Sequence, residues 1–137
     1  MSEGGWFLEP ITDFVFLLAR EGEAKNILQR RFKKDRLALV GLFDIIEKVD
    51  GFGYEDGIRF AFDCKYMESI SARNGLGLIE IRVKRTLWRV VTYHDRKRKK
   101  LVILDAFEAH RHKTMEHVVE QVEPRRVMAI RLLEEAG

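Results

Sequence analysis

From Leu78 to Phe107 the apolar residues follow the period of a β-strand, and two short polar runs interrupt them. Ile79, Ile81 and Val83 alternate with Glu80, Arg82 and Lys84. Trp88, Val90 and Thr92 alternate with Arg89, Val91 and Tyr93. Side chains two apart share a face of a strand, so each segment presents one apolar and one more polar side. Leu101 to Phe107 is apolar almost throughout, as a strand covered on both faces is. Three strands in succession with short connections predict an antiparallel meander. A meander of this kind needs helices or a second sheet to cover it.

The flanking sequence offers helices. Glu23 to Phe32 carries Ala24, Ile27, Leu28 and Phe32 on one stripe. Asp35 to Val49 places Leu39, Leu42, Phe43 and Ile46 at i, i+3, i+4 and i+7. Asp35 is suited to cap the second helix, and Gly51 and Gly53 are suited to end it. A joint of about two residues predicts an antiparallel helical hairpin. Before it, Asp13 to Ala19 reads as a short buried strand, closed by Glu21-Gly22-Glu23. From Arg59, the alternation of Phe60, Phe62 and Cys64 predicts a further strand to about Ile70, with a turn at Ser71 to Gly75 marked by Asn74-Gly75. After Phe107, Thr114 is a possible cap for a helix bearing Val118, Val119 and Val122. Pro124 costs about 3 kcal/mol inside a helix, so a new helix is expected to start there, carrying Val127, Ile130 and Leu133. The expected architecture is α+β. A small antiparallel sheet of three to five strands packs against an N-terminal helical hairpin and a C-terminal helix, in a single domain over residues 1–137.

Charge narrows the partners. The net charge is only +3, but the stretch from Arg82 to Lys113 holds eleven Lys or Arg against three acids. That balance of +8 leaves the rest of the chain at −5, an asymmetry suited to a polyanion or to an acidic protein partner. It also fits a plain solvated basic surface. With 46% apolar and 34% charged residues the chain has the makeup of a folded, soluble protein. No apolar run approaches the ~20 residues that span a bilayer. Met1 to Pro10 lacks the basic start and the cleavage site of a signal peptide. The lone Cys64 fits a reducing compartment, and a cytoplasmic protein is expected. His110, His112, His117 and Cys64 have no compact four-ligand spacing, so no metal site is expected.

Gly77-Leu78-Ile79-Glu80-Ile81-Arg82, followed by Trp88-Arg89-Val90-Val91-Thr92-Tyr93, resembles the signature G-L-x-E-L-R … (Y/W)-R-V-x-Y of the RelE/ParE toxin superfamily, in its HigB-like, phage-derived branch. Leu101 to Phe107 resembles the last strand of that family. The resemblance implies a RelE-like fold and the toxin of a toxin–antitoxin pair. It implies an endoribonuclease that cuts messenger RNA on the ribosome without metal or cofactor. The implied partners are the ribosome, messenger RNA and a helix-turn-helix antitoxin, with operator DNA reached only through the antitoxin. ParE relatives instead inhibit gyrase, so a non-catalytic binding protein is the alternative.

By the same resemblance, Arg82 matches a strand cation near the scissile phosphate and Arg89 the most recurrent arginine of the family. The family continues from its final Phe with x-K-K-x-x-K-T-P. Here Lys113 and Thr114 match, Ala109 and His110 replace the lysine pair, and the proline is absent.

Cleavage through a 2′-hydroxyl needs a base, a proton donor and cations around the phosphate, and charge stabilisation is the largest single contribution. Arg82 and Arg89 are suited to the phosphate through their forked donors. His110 and His112 are suited to proton transfer, and Lys113 completes the expected catalytic set. Glu80 can orient Arg82 or merely pair with it, and Tyr93 can stack on a base or fill the sheet. Lys84, Arg96, Lys97, Arg98 and Arg111 are expected to add backbone affinity, with the run from Arg96 to Lys100 as a solvated hairpin tip.

Overall fold

A computed structural model describes residues 4–70, 76–109 and 115–136. The chain opens with a β-hairpin. β1 (Trp6–Pro10) pairs antiparallel with β2 (Val15–Arg20), from Trp6 opposite Arg20 to Pro10 opposite Phe16. Thr12 closes the turn: its hydroxyl accepts from the backbone N–H of Phe14 and of Val15, at 3.3 and 3.1 Å. β2 lies where a strand was expected. β1 is an additional strand, and as the sheet edge it tolerates Pro10 at its end.

Three helices follow. α1 (Ile27–Arg31) starts at a capping box, where Asn26 and Gln29 each accept the other's backbone N–H at 2.9 Å. α2 (Arg36–Phe52) starts at Asp35, whose carboxylate accepts from the Ala38 N–H at 3.1 Å. Gly53 then turns the chain at a φ of 83°, a conformation that favours glycine. α3 (Tyr54–Asp63) occupies part of the span expected to be a strand. Its inward positions are Tyr54, Gly57, Ile58, Ala61 and Phe62, a 3.6-residue stripe. The apparent alternation at Phe60 and Phe62 came from Phe60, which faces outward between Phe52 and Tyr66. Only β3 (Met67–Ser69) remains of the expected strand. The turn predicted at 71–75 lies outside the described residues.

β4 (Leu78–Arg82), β5 (Trp88–Asp95) and β6 (Lys100–Glu108) form the predicted meander. The sheet around it is larger than expected and mixed. Its six strands run in the order β1-β2-β6-β5-β4-β3, and β2 lies parallel to β6 while every other pair is antiparallel. The expectation of a RelE-like antiparallel sheet of three to five strands with an N-terminal helical hairpin is therefore corrected. A β-hairpin precedes the helices, and three helices rather than two separate it from β3. A parallel neighbour requires a long crossover, and α1, α2, α3 and three strands supply it here.

β6 sits centrally and is apolar because helices cover both sheet faces. On one face Ile79, Ile81, Val90, Leu101 and Ile103 pack with α2 residues such as Leu42, Ile46 and Val49. On the other, Leu18, Leu78, Val91, Val102 and Leu104 meet α4 (Met115–Ala136) through Val118, Val122, Ala129 and Leu132. The expected break at Pro124 does not occur, and α4 is continuous through it. One anchor beside the proline is Arg125, which donates to the carbonyls of Leu104 (2.6 Å) and Leu18 (3.2 Å). Its guanidinium also lies 4.9 Å from the centre of the Trp6 ring, which Arg20 approaches at 5.1 Å. Leu104 is the residue skipped where the β5–β6 register slips, so Arg125 takes a carbonyl at the bulge.

Candidate nucleic-acid interface

Strand register decides which charged residues meet. On the α4 side of the sheet, Arg82 of β4 lies opposite Arg89 of β5, and Arg89 lies opposite Phe107 of β6. The adjacent row holds Glu68 opposite Glu80. Like charges directly across a ladder repel, and the arrangement relieves this through Arg82. Its guanidinium donates to Glu68 at 2.6 Å and to Glu80 at 3.2 Å. Glu80 is buried at 5% exposure, while Arg82 and Glu68 remain partly open to solvent. Arg89 is half-buried, and its guanidinium bonds the Trp88 carbonyl at 3.0 Å. It has no ion pair among the described residues. Removing Arg82 leaves a buried carboxylate unbalanced. Arg82→Ala is expected to cost about 2 kcal/mol in urea unfolding, and Glu80→Gln markedly less.

Trp88 fixes the backbone that carries Arg89. Its indole N–H donates to Asp35 at 3.0 Å, and its ring centre lies 4.2 Å from that of Phe32. The same carboxylate caps α2, so one aspartate joins the helix start to the strand.

The remaining predicted residues are dispersed. Tyr93 packs partly buried against the α4 core and beside Gly77, and burial, then nearby Asp95, raises its phenol above the ordinary value. Lys84 sits toward the opposite side, with its ammonium on the Cys64 carbonyl at 2.9 Å and 4.9 Å from the Tyr66 ring centre. The run from Arg96 to Lys100 is an organised hairpin end. Arg98 folds onto Asp95 through its backbone N–H and its guanidinium, both at 2.9 Å. Burial pushes the Asp95 carboxyl up, but the bonds from Arg98 prevail and hold it below the usual range. Lys99 reaches Glu55 at 3.3 Å, and Lys100 donates to the Asp13 carbonyl at 3.1 Å. Arg96, Lys97 and Lys99 are exposed, as expected of a solvated tip, while Arg98 and Lys100 are partly buried. His110, Arg111, His112 and Lys113 lie outside the described residues. Among the described residues no group of three His, Cys, Asp or Glu side chains is placed to hold a metal ion.

His94 has a definite structural role. Its Nε2 lies 2.6 Å from the Tyr54 hydroxyl, which ties β5 to the first turn of α3. Burial, then the charge of Arg96, lowers its pKa below 6.5, and Asp95 opposes them only in part. The unfolded chain therefore takes up the proton first as the pH falls. Stability conferred by neutral His94 is expected in full above pH ~6.5 and to diminish below it. Unfolding by urea across pH 5 to 8 measures this (both limits about one unit or more from the ordinary histidine value), and His94→Asn should flatten the curve.

Two further features had weak sequence signals. Lys48, Tyr66, Lys84 and Arg85 converge on one notch between α2 and the β3–β4 edge. Leu37, Val40 and Phe43 form an exposed apolar stripe on α2, at 86%, 56% and 40% exposure. Phe43 had been expected to face the core. No helix among the described residues is long and apolar enough to cross a membrane. No family model, curated protein or solved structure matches this chain.

Proposed function

We propose that the protein binds the phosphate backbone of RNA at the Arg82–Arg89 corner and acts as a ribosome-dependent messenger-RNA endoribonuclease, the toxin of a toxin–antitoxin pair. The observation that carries this reading is the row Arg82–Arg89–Phe107. It sets two arginines directly opposite each other on neighbouring strands, with Phe107 opposite Arg89 on the next. The motif resemblance of Gly77 to Phe107 supports the toxin class. In the proposed step, the 2′-oxygen attacks phosphorus as its proton passes to a base. The bond to the 5′-oxygen breaks, and that oxygen receives a proton from an acid. The products are a 2′,3′-cyclic phosphate and a 5′-hydroxyl. Arg89 steadies the charge on the phosphate, and His110 and His112 are the proposed proton-transfer groups.

The antitoxin belongs to the same proposal. The exposed stripe of Leu37, Val40 and Phe43 lies beside Lys33, Lys34 and Arg36, which suits an acidic amphipathic segment. A second reading, binding without cleavage, is favoured by Arg82, because both of its carboxylate partners already occupy it.

Induced expression decides between them. The nuclease reading expects growth arrest, cut codons in translated transcripts, and relief by the protein encoded next to this one. Arrest with intact transcripts supports the binding reading and overturns cleavage. Normal growth with uncut RNA overturns both.

A further inference from the structure

The notch between α2 and the β3–β4 edge has a volume of about 560 Å³, and Tyr66 lines it. Lys84 and Lys48 bring their ammonium groups within 4.9 and 5.8 Å of the Tyr66 ring centre. Arg85 lines the same space, and among the described residues Asp44 is the one carboxylate on its wall. Gly41 lets α2 come close to the hairpin here, since an added Cβ would stand 3.1 Å from Val83.

Three cations against one acid in a small concavity repel one another unless an anion joins them. Exposed cation–π contacts contribute only about 0.5–1 kcal/mol, and although Lys84 also donates to the Cys64 carbonyl at 2.9 Å, an ammonium has three donors to place. A tight turn brings Arg85 to the notch, in the same left-handed conformation that Lys65 and Lys99 adopt at φ 63° and 57°. Arg85 adopts a φ of 65°, a conformation in which an arginine is strained. The turn holding it is fixed by Thr86, whose backbone N–H and hydroxyl both donate to the Val83 carbonyl, at 3.2 and 2.7 Å. Glycine or asparagine would sit there more easily. An arginine is held in this strained turn at the rim of an already basic notch.

We infer that this notch is a second phosphate-binding site, which takes a backbone phosphate of the same RNA beyond the Arg82–Arg89 corner. The inference rests on the RNA-binding reading. Continuity supports it: the Arg82 N–H donates to the Tyr66 carbonyl at 2.7 Å, so the two sites flank one stretch of the β3–β4 edge on opposite sides of the sheet, and one RNA strand reaches both by passing around that edge. Lysines suit a phosphate as mobile point charges, and Arg85 as a fork.

The test is fluorescence anisotropy of a labelled, short single-stranded RNA over a range of salt concentrations. The double variant Lys48→Gln/Lys84→Gln should bind about tenfold more weakly, with the slope of log affinity against log salt reduced by about 0.7, the value for one phosphate of a single strand. Lys48→Arg/Lys84→Arg should retain the slope, and thermal unfolding of each should match the parent. If the Gln variant keeps the parental affinity and slope while Arg89→Ala loses affinity, the notch is not a phosphate site and the corner stands. If the parent binds no RNA, the corner reading fails and the notch with it.

Discussion

Arg89→Ala should abolish growth arrest at expression levels that stop cells producing the parent protein, and should lower transcript cleavage by at least about 100-fold. The magnitude follows from deleting one preorganised cationic donor at a phosphate undergoing displacement. Arg89 is the right residue to remove because little else depends on it. Its guanidinium bonds one carbonyl, that of Trp88, and the residue is partly exposed in the middle of the row. The stability change should stay below about 1 kcal/mol. Arg82 is a poorer probe, since its loss also unbalances Glu80, and a folding defect would mimic a catalytic one. Mapping of transcript ends after induction, with unfolding curves of both proteins, measures the effect. A variant that still arrests growth with cut transcripts would remove Arg89 from the mechanism.

The largest stability effect is expected at Gly57→Val, in α3. Gly57 is buried against α2, where an added Cβ would collide with the backbone carbonyl of Val49. A backbone carbonyl in a helix cannot swing aside as a side chain does, so the two helices must separate. Overpacking of this kind costs about 3 kcal/mol. In urea this lowers the midpoint by about 1 to 3 M (about 3 kcal/mol divided by a typical slope of about 1–3 kcal/mol/M) at an unchanged m-value. Gly51→Ala is the control. Nothing lies within 4 Å of its added Cβ, and the change should be neutral or favourable by up to about 1 kcal/mol. Equal effects at both positions would show that helix propensity, and not the α2–α3 contact, governs stability here.

A signal was readable in the sequence wherever a residue's environment followed from its neighbours along the chain. The alternation in β4 and β5, the apolar run of β6 and the cap at Asp35 are local patterns, and all were legible. The neighbouring strand positions of Arg82 and Arg89 were legible too, because a short hairpin sets its own register. The signal failed where two periodicities overlapped. In α3, Phe60 and Phe62 mimic a strand, yet the helical stripe from Tyr54 to Phe62 wins because it is the one the core can bury. Pro124 shows the reverse case. Its local penalty predicts a break, but α4 stays continuous, anchored on both sides of the proline by Val122, Arg125, Ala129 and Leu132.

The basic, strand-borne surface is thus a property of the sequence itself, since charge and period two are both written along the chain. Tertiary structure alone decided how that charge is used. The Glu68–Glu80–Arg82 group and the meeting of Lys48 with Lys84 across Tyr66 join residues from separate elements. Electrostatic interactions fall off within about 10 Å in saline solution. Which charges cancel, and which remain for a partner, is therefore set by three-dimensional neighbours that the order of residues does not reveal.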